Sequence, residues 1–548
     1  MNRAIANKMG IGFLERHWKF LLLVLVLFLV GAARFRLAQM PLERDEGEYA
    51  YAGQLILEGI PPYKLAYNMK FPGTYTAYAL IMAVFGQTPA GIHLGVICVT
   101  TLTALMLYWF CRRLLDETAG VVAATAYAIL ASSIKMSGLA GHATHFCALF
   151  ATAGLCVLWP VKNKLSWRLA FVGGLLFGFA MLMKQHAAVV SLWGLIFLIS
   201  AALRQREIPR VVKIRCVAAF CIGVLVPFGL SCLVLWRAGV FEQFWFWVIR
   251  YAREYISYVP ISQAPQKIFS SVVDVTERST LLWLLPVAGL ALIWLDERLR
   301  SSRLWLSTFA LASFLTICPG FFFRDHYFLL LLPAAALLAG CAICALRELW
   351  QRKIGKSRFD AWPLWAYLAV LVMSIFENRD VWFEAKPTQV ARAIYRGSPF
   401  VESEVVADFI RTNSTPDTRV AVLGSEPQIY FLSHRHSATG YIYTYPLMEP
   451  QPFAVKMQHA MIREIESAKP EFVVFVFSQL SWLKQPGSDL TLFDWWVKSY
   501  QTNFTLAGAA VMDPPRESHY VWGPEAASIR EFPGGGLLVY KRSSSSKN

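Results

Sequence analysis

Two short runs carry the residue types that can do chemistry: Arg44-Asp45-Glu46-Gly47-Glu48-Tyr49 and, further on, Lys70-Phe71-Pro72-Gly73. The first sets three carboxylates just past an apolar stretch, Phe20 to Ala33, that reads as a membrane helix. On a soluble surface such charges are ordinary. Where a chain leaves a bilayer, ionisable groups are costly and mark function. A carboxylate held there can take the proton of a hydroxyl, and a nearby cation can hold a phosphate. Asp45, Glu46 and Glu48 therefore read as a base with accessory acids. The competing reading is a solvated loop, or a helix N-terminus, which favours acids for its own sake.

The elements that must position these residues are membrane helices. The 548 residues are 56% hydrophobic and 16% charged, with a mean hydropathy of +0.44. A soluble protein carries more charge. The apolar residues also come in blocks that suit spans of about 17–25 residues. Spans are expected at 18–37, 91–111, 118–134, 140–160, 167–183, 187–203, 214–236, 280–295, 303–319, 326–346 and 361–377. The pair within 167–203 is decided by charge. Lys162, Lys164 and Arg168 precede it, and Arg204, Arg206, Arg210, Lys213 and Arg215 follow. Both clusters favour the cytoplasm, so the crossings between them are even in number. Two short spans then turn at Lys184-Gln185-His186, with Lys184 outside. The same parity puts Arg112 and Arg113, Arg298 to Arg303, and the cluster Arg347, Arg352, Lys353, Lys356 and Arg358 inside. The N-terminus is then cytoplasmic and the C-terminus extracytoplasmic. No small-residue cleavage site precedes Arg34 and Arg36, so the first span is read as uncleaved.

The net charge of +16 lies mostly in short loops between spans. That placement fits the positive-inside pattern and anionic lipid headgroups, not nucleic acid. All ten cysteines precede residue 345, so no disulfide framework supports the C-terminal part. Cys341 and Cys344 read as packing residues in an apolar helix. Two long outer loops are expected, 38–90 and 237–279. The aromatic run Phe244 to Tyr251 suits the headgroup region, and Gly59-Ile60-Pro61-Pro62-Tyr63 is a turn. From 378 the composition becomes that of a soluble domain. Val405–Arg411 and Met457–Ser467 read as helices. Arg419–Gly424, Glu471–Phe477 and Gly536–Tyr540 read as buried strands, and Ser543–Ser546 as a frayed tail. The expected architecture is a polytopic α-helical membrane domain, 1–377, followed by a small extracytoplasmic α/β domain, 378–548. His434-Arg435-His436 reads as surface.

The run Arg44 to Tyr51, with Gly59 to Tyr63 and Lys70-Phe71-Pro72-Gly73, resembles the first outer loop of bacterial integral-membrane glycosyltransferases. These are relatives of the dolichyl-phosphate-mannose–protein mannosyltransferases. They share the C-type glycosyltransferase fold with aminoarabinose lipid A transferase. Weaker similarities lie at Met183-Lys184-Gln185, Phe244–Tyr255, Phe323–Phe328 leading into Leu332-Pro333, and Gly424–Ser433. Relatives often show two prolines where this chain has Pro72-Gly73. The resemblance implies transfer of a sugar from a polyprenyl-phosphate donor to a protein, lipid or glycan hydroxyl, at the outer face of the membrane. It assigns the base to Asp45, with Glu46 beside it. Displacement by one base inverts the anomeric centre.

Lys70, Lys184, Arg324 and His326 are the candidates for the donor phosphate or the acceptor, with Glu48. Each has a plainer reading as an interfacial anchor. Arg250 and Arg253 read as lipid-headgroup contacts. His142 and His145, three residues apart at a helix start, contact substrate or hold a divalent cation; no third ligand is visible, and the cofactor is left open. Three other readings compete, one of them a non-catalytic scaffold that presents the C-terminal domain and has no need of Asp45. An O-antigen ligase or polymerase relies on a late loop and basic residues. A transporter needs related halves and helices broken at the midplane.

Overall fold

The computed structural model describes residues 2–355, 360–514 and 516–543. Lys356 and Arg358 of the last basic cluster, and 544–546 of the serine run, lie outside the described residues. The chain forms two compact units. A helical unit comprises 1–37, 93–230 and 256–385, and a sheet unit comprises 38–92, 231–255 and 386–548.

Each expected span falls on a helix. Among the described residues, six helices are long and apolar enough to cross a membrane, and a seventh candidate is the pair Ile261–Thr276 and Thr280–Leu292, bent by 118°. The remaining four, Glu117–Leu130, Trp167–Met183, Arg303–Leu315 and Trp362–Glu377, are shorter apolar helices. The segment 167–203 is two helices, Trp167–Met183 and Ala188–Arg204, broken at Lys184, whose backbone is extended. One start differs from expectation. Asp325–Leu330 forms a tight short helix of its own, and the long helix begins at Leu332, next to Pro333. Proline is favoured in a first helical turn, where its missing N–H costs nothing.

Packing between apolar helices in lipid depends on close approach rather than on apolar burial. A Cβ on Gly174 would fall 2.2 Å from the Phe220 carbonyl oxygen, and one on Gly223 would fall 2.3 Å from that of Phe171. Trp167–Met183 and Arg210–Arg237 therefore meet backbone to backbone. The first helix ends in two working arginines. Buried Arg34 donates to the carbonyls of Gly138 at 2.9 Å and Ala131 at 3.2 Å, satisfying the break after Glu117–Leu130. Arg36 donates to the carbonyls of Trp382 at 2.9 Å and Ala385 at 2.6 Å. The ten cysteines are all free, and Cys341 and Cys344 are buried packing residues.

Among its described residues the sheet unit is built on six strands. β1 (Arg419–Leu423) runs parallel to β2 (His436–Ser437) and to β3 (Phe472–Phe477). β6 (Gly536–Arg542) is antiparallel to β3 and to β4 (Phe504–Val511), and β5 (His519–Trp522) is antiparallel to β4, closing the order β2-β1-β3-β6-β4-β5. β1, β3 and β6 are the three strands expected from sequence. β4 escapes that reading because Ala507-Gly508-Ala509-Ala510 has weak strand character. Trp245 and Ile249 of the aromatic run stay exposed, while Phe244, Trp247 and Tyr251 are buried. They pack on the first loop, with Tyr63 against Phe244 at 5.3 Å and Tyr67 against Trp247 at 5.9 Å between ring centroids. Arg435 is not surface. It is 6% exposed and donates to Ser414 and to the carbonyl of Arg411, at the end of helix Phe400–Thr412.

Candidate functional site

The acidic run is helical from Arg44 to Leu57. Glu43 is its N-cap and accepts from the Glu46 N–H at 2.9 Å, while the Glu46 carboxylate accepts from the Glu43 N–H at 3.4 Å. This reciprocal cap satisfies two of the helix's orphan donors. Glu46 is fully buried, and this contact points it at its own helix terminus. Burial, then repulsion from Asp45 and Glu46, pushes the Glu43 carboxyl well above the usual carboxylate range.

One turn of helix separates Asp45 from Glu48, and Lys70 sits between them. Its ammonium donates to Asp45 Oδ1 and Glu48 Oε2, both at 2.8 Å. Glu48 is fully buried. Its oxygens also accept from the Asn68 amide at 2.7 Å and the Tyr75 hydroxyl at 2.5 Å. Burial raises the Glu48 pKa, and the Lys70 charge opposes that rise. For Lys70, burial pulls downward, but the two carboxylates outweigh it and hold the ammonium well above the usual lysine range. Asp45 differs from its neighbours in keeping 24% of its side chain exposed. It is the acid of this cluster that an incoming hydroxyl can reach.

The loop holding Lys70 is braced from behind. Tyr63, after Pro61-Pro62, has φ 65°, a left-handed conformation that is unfavourable for a bulky residue. Its hydroxyl donates to the Lys70 carbonyl at 2.6 Å. The Lys70 ammonium lies 4.6 Å from the centre of the Tyr49 ring, a cation–π contact.

The acidic helix is docked on residues far along the chain. Arg44 pairs with Glu426 at 2.8 Å. A Cβ on Gly47 would fall 2.6 Å from the Gln428 backbone nitrogen, so only glycine permits this approach. The Ser437 N–H donates to the Tyr51 hydroxyl at 2.8 Å. Gly424–Ser433, which the sequence marks only weakly, is thus the seat of the acidic helix. Tyr443 donates to Asp45 Oδ1 at 2.7 Å. Burial, then the negative charge of Asp45, holds its phenol well above the usual tyrosine range, so it remains a donor. Sequence reasoning missed Tyr443, Asn68, Tyr75 and Glu43. The alternating aromatics Tyr441, Tyr443 and Tyr445 were the available signal, but nothing in sequence joins them to a residue 398 positions earlier.

The other candidates belong to the helical unit. His142 stands at the N-cap position of Ala143–Leu158 without a side-chain capping bond, and its ring stacks on that of His326 with centroids 4.2 Å apart and planes 12° off parallel. His145 is fully buried one turn on, so the close partner of His142 is His326. Lys184 lies 4.2 Å over the Tyr327 ring, and His186 meets the same ring edge-on at 4.8 Å. His142, Lys184 and His326 are thereby gathered about one turn of chain. Arg324 is exposed beside it and 5.4 Å over Phe322. The preceding turn is strained, with Phe321 at φ 53° and Phe323 at φ 45°. Such strain collects where a site is held in place.

A model of the dolichyl-phosphate-mannose-protein mannosyltransferase family matches residues 71–230. Among solved structures, ArnT from Cupriavidus metallidurans bound to undecaprenyl phosphate is similar over 97% of this chain and 99% of its own, with TM-score 0.59 and 14% identity. The Archaeoglobus fulgidus oligosaccharyltransferase in its apo form is similar over 93% of this chain and 75% of its own, with TM-score 0.52 and 14% identity. AglB from the same organism, in complex with an inhibitory peptide and a dolichol-phosphate, matches 97% of this chain and 77% of its own, at TM-score 0.51 and 11% identity. The chain therefore shares the fold of ArnT and of the Archaeoglobus fulgidus oligosaccharyltransferase, and its residues 71–230 are similar to the dolichyl-phosphate-mannose-protein mannosyltransferase family.

Proposed function

We propose that this protein is a multi-pass membrane glycosyltransferase that moves a sugar from a polyprenyl-phosphate carrier to a hydroxyl of a protein, lipid or glycan, with inversion. The observation that carries the reading is Asp45: a partly exposed carboxylate in a buried acidic cluster, with one oxygen held by a lysine. The family match and the lipid phosphates in the ArnT and AglB structures support the donor class.

In this mechanism Asp45 takes the proton of the acceptor hydroxyl as its oxygen attacks the anomeric carbon. The bond from that carbon to the phosphate oxygen breaks, and the electron pair leaves with the polyprenyl phosphate. Phosphate is a good leaving group, so its charge needs cations more than its oxygen needs an acid. Lys184, Arg324 and His326 are assigned to that charge. Lys70 orients Asp45, and Glu48 holds Lys70. Glu46 caps the helix and so supports Asp45 indirectly. Attack opposite the leaving phosphate inverts the centre, whereas retention would need a nucleophile on the enzyme. The reaction is placed at the outer face, with the N-terminus cytoplasmic.

The test uses purified protein in lipid and a panel of radiolabelled polyprenyl-phosphate sugars. Asp45→Asn keeps the size and the hydrogen bonds but cannot accept the proton. General-base catalysis contributes roughly 10²–10⁴-fold, so transfer should fall at least about a hundredfold with donor binding kept. Glu46→Gln, which can still cap the helix, should cost less. Transfer at the wild-type rate by Asp45→Asn would sink the mechanism. A dead Glu46→Gln beside an active Asp45→Asn would exchange the two roles.

A further inference from the structure

Tyr443 stands apart from the acidic cluster in sequence and yet donates to the same oxygen, Asp45 Oδ1, that Lys70 holds. Its position is fixed on both sides. The next residue, Thr444, is fully buried. Its N–H donates to Ser425 Oγ at 3.0 Å, and its hydroxyl donates to the Ser481 carbonyl at 3.0 Å. The Ser425 N–H in turn donates to Ser481 Oγ at 2.8 Å, and the Ser481 hydroxyl donates to Glu426 Oε2 at 2.5 Å. Glu426 holds Arg44, the neighbour of Asp45, at 2.8 Å. The Tyr443 ring packs edge-on against Tyr445 at 5.5 Å, and the Tyr445 hydroxyl is anchored on the Leu480 carbonyl at 2.7 Å. Asp45 and Tyr443 are thus the ends of a closed circuit, Asp45–Arg44–Glu426–Ser481–Thr444–Tyr443. All its members are drawn from 44–45 and from 425–481.

We infer that Tyr443 is a positioning residue for the reaction: its phenol O–H fixes the orientation of the Asp45 carboxylate and tempers its basicity. The inference rests on the reading of Asp45 as the base. Two donors on one oxygen hold the carboxylate plane against rotation. Lys70 shares its ammonium with Glu48, so a second donor on Asp45 Oδ1 adds a constraint that the lysine by itself does not supply. Misplacement of a reacting group by about 1 Å costs up to about a hundredfold in rate.

The experiment uses the whole protein in lipid, with that member of a radiolabelled undecaprenyl-phosphate-sugar panel which the wild type turns over. Tyr443→Phe keeps the ring and its packing. It should lower kcat by about 10–100-fold while the donor KM stays within about twofold. Tyr441→Phe, whose ring packs on Tyr67 and Trp247, should behave as wild type. The discriminating measurement replaces Tyr443 by 3-fluorotyrosine and then 3,5-difluorotyrosine, which are nearly isosteric but stronger donors. A stronger donor makes Asp45 a weaker base, so the single-turnover rate should fall with each fluorine. A flat series, or a loss confined to KM, would overturn the inference, because a structural tyrosine does not sense fluorine. If Asp45→Asn is inactive while the series is flat, only this inference fails. If Asp45→Asn is active, the proposed function fails with it.

Discussion

At the scale of single residues, the cluster divides into one reachable acid and three that serve structure. Glu43 shows this most directly. Its folded-state pKa is raised above the unfolded value of about 4.3. Its contribution to stability is then fully present below the unfolded value and is lost as pH rises through the folded one. Above that window the buried charge, close to Asp45 and Glu46, is a cost. Glu43→Gln removes the charge but keeps an oxygen to cap the Glu46 N–H. We expect this variant to melt roughly 2–4 °C higher than wild type near pH 8, with the gap closing toward pH 5. A gap that does not change with pH would contradict the burial argument. The sequence made Asp45, Glu46 and Glu48 visible as a group because acids are rare beside a span. It could not rank them, because rank depends on exposure and on partners. Glu48 is silenced by Tyr75, Asn68 and Lys70, and Glu46 by a helix terminus.

At the scale of elements, apolar blocks located the helices expected as spans, because membrane helices are specified by composition. The break at Lys184 followed from parity alone. The docking of the acidic helix did not, since a glycine chosen for close approach looks like any other. Gly47 provides the test. Gly47→Ala puts a methyl group 2.6 Å from the Gln428 nitrogen, where backbone cannot yield cheaply. Overpacking of this kind costs about 1–3 kcal/mol. We expect the variant to insert in the membrane normally, to lose transfer activity, and to show new protease cuts in 38–92. Gly31→Ala, where nothing lies within 4 Å, should match wild type. Unchanged proteolysis and activity in Gly47→Ala would mean that the seat is loose. β4 was illegible for another reason: an Ala-Gly-Ala-Ala core has no strand signal until β6 lies beside it.

At the scale of the whole molecule, the basic loops predict which ends face the cytoplasm. A reporter active only outside the cytoplasm should be active when fused after residue 480 and silent when fused near residue 208. The reverse pattern would put Asp45 on the wrong side for a lipid-borne donor. The sheet unit itself is discontinuous, drawn from 38–92, 231–255 and 386–548. Asp45 waits for Tyr443, 398 residues later, and Arg44 waits for Glu426, 382 residues later. During synthesis the acid therefore leaves the ribosome with Lys70 close behind it, but long before Tyr443 or the seat of its helix exists. A chain stalled or cut short of residue 425 has its spans and its aspartate, but no seat for the acidic helix and no phenol on the carboxylate. On the proposed function, activity arrives only with about the last quarter of the chain, so the order of translation would keep half-made copies from consuming a lipid-linked sugar.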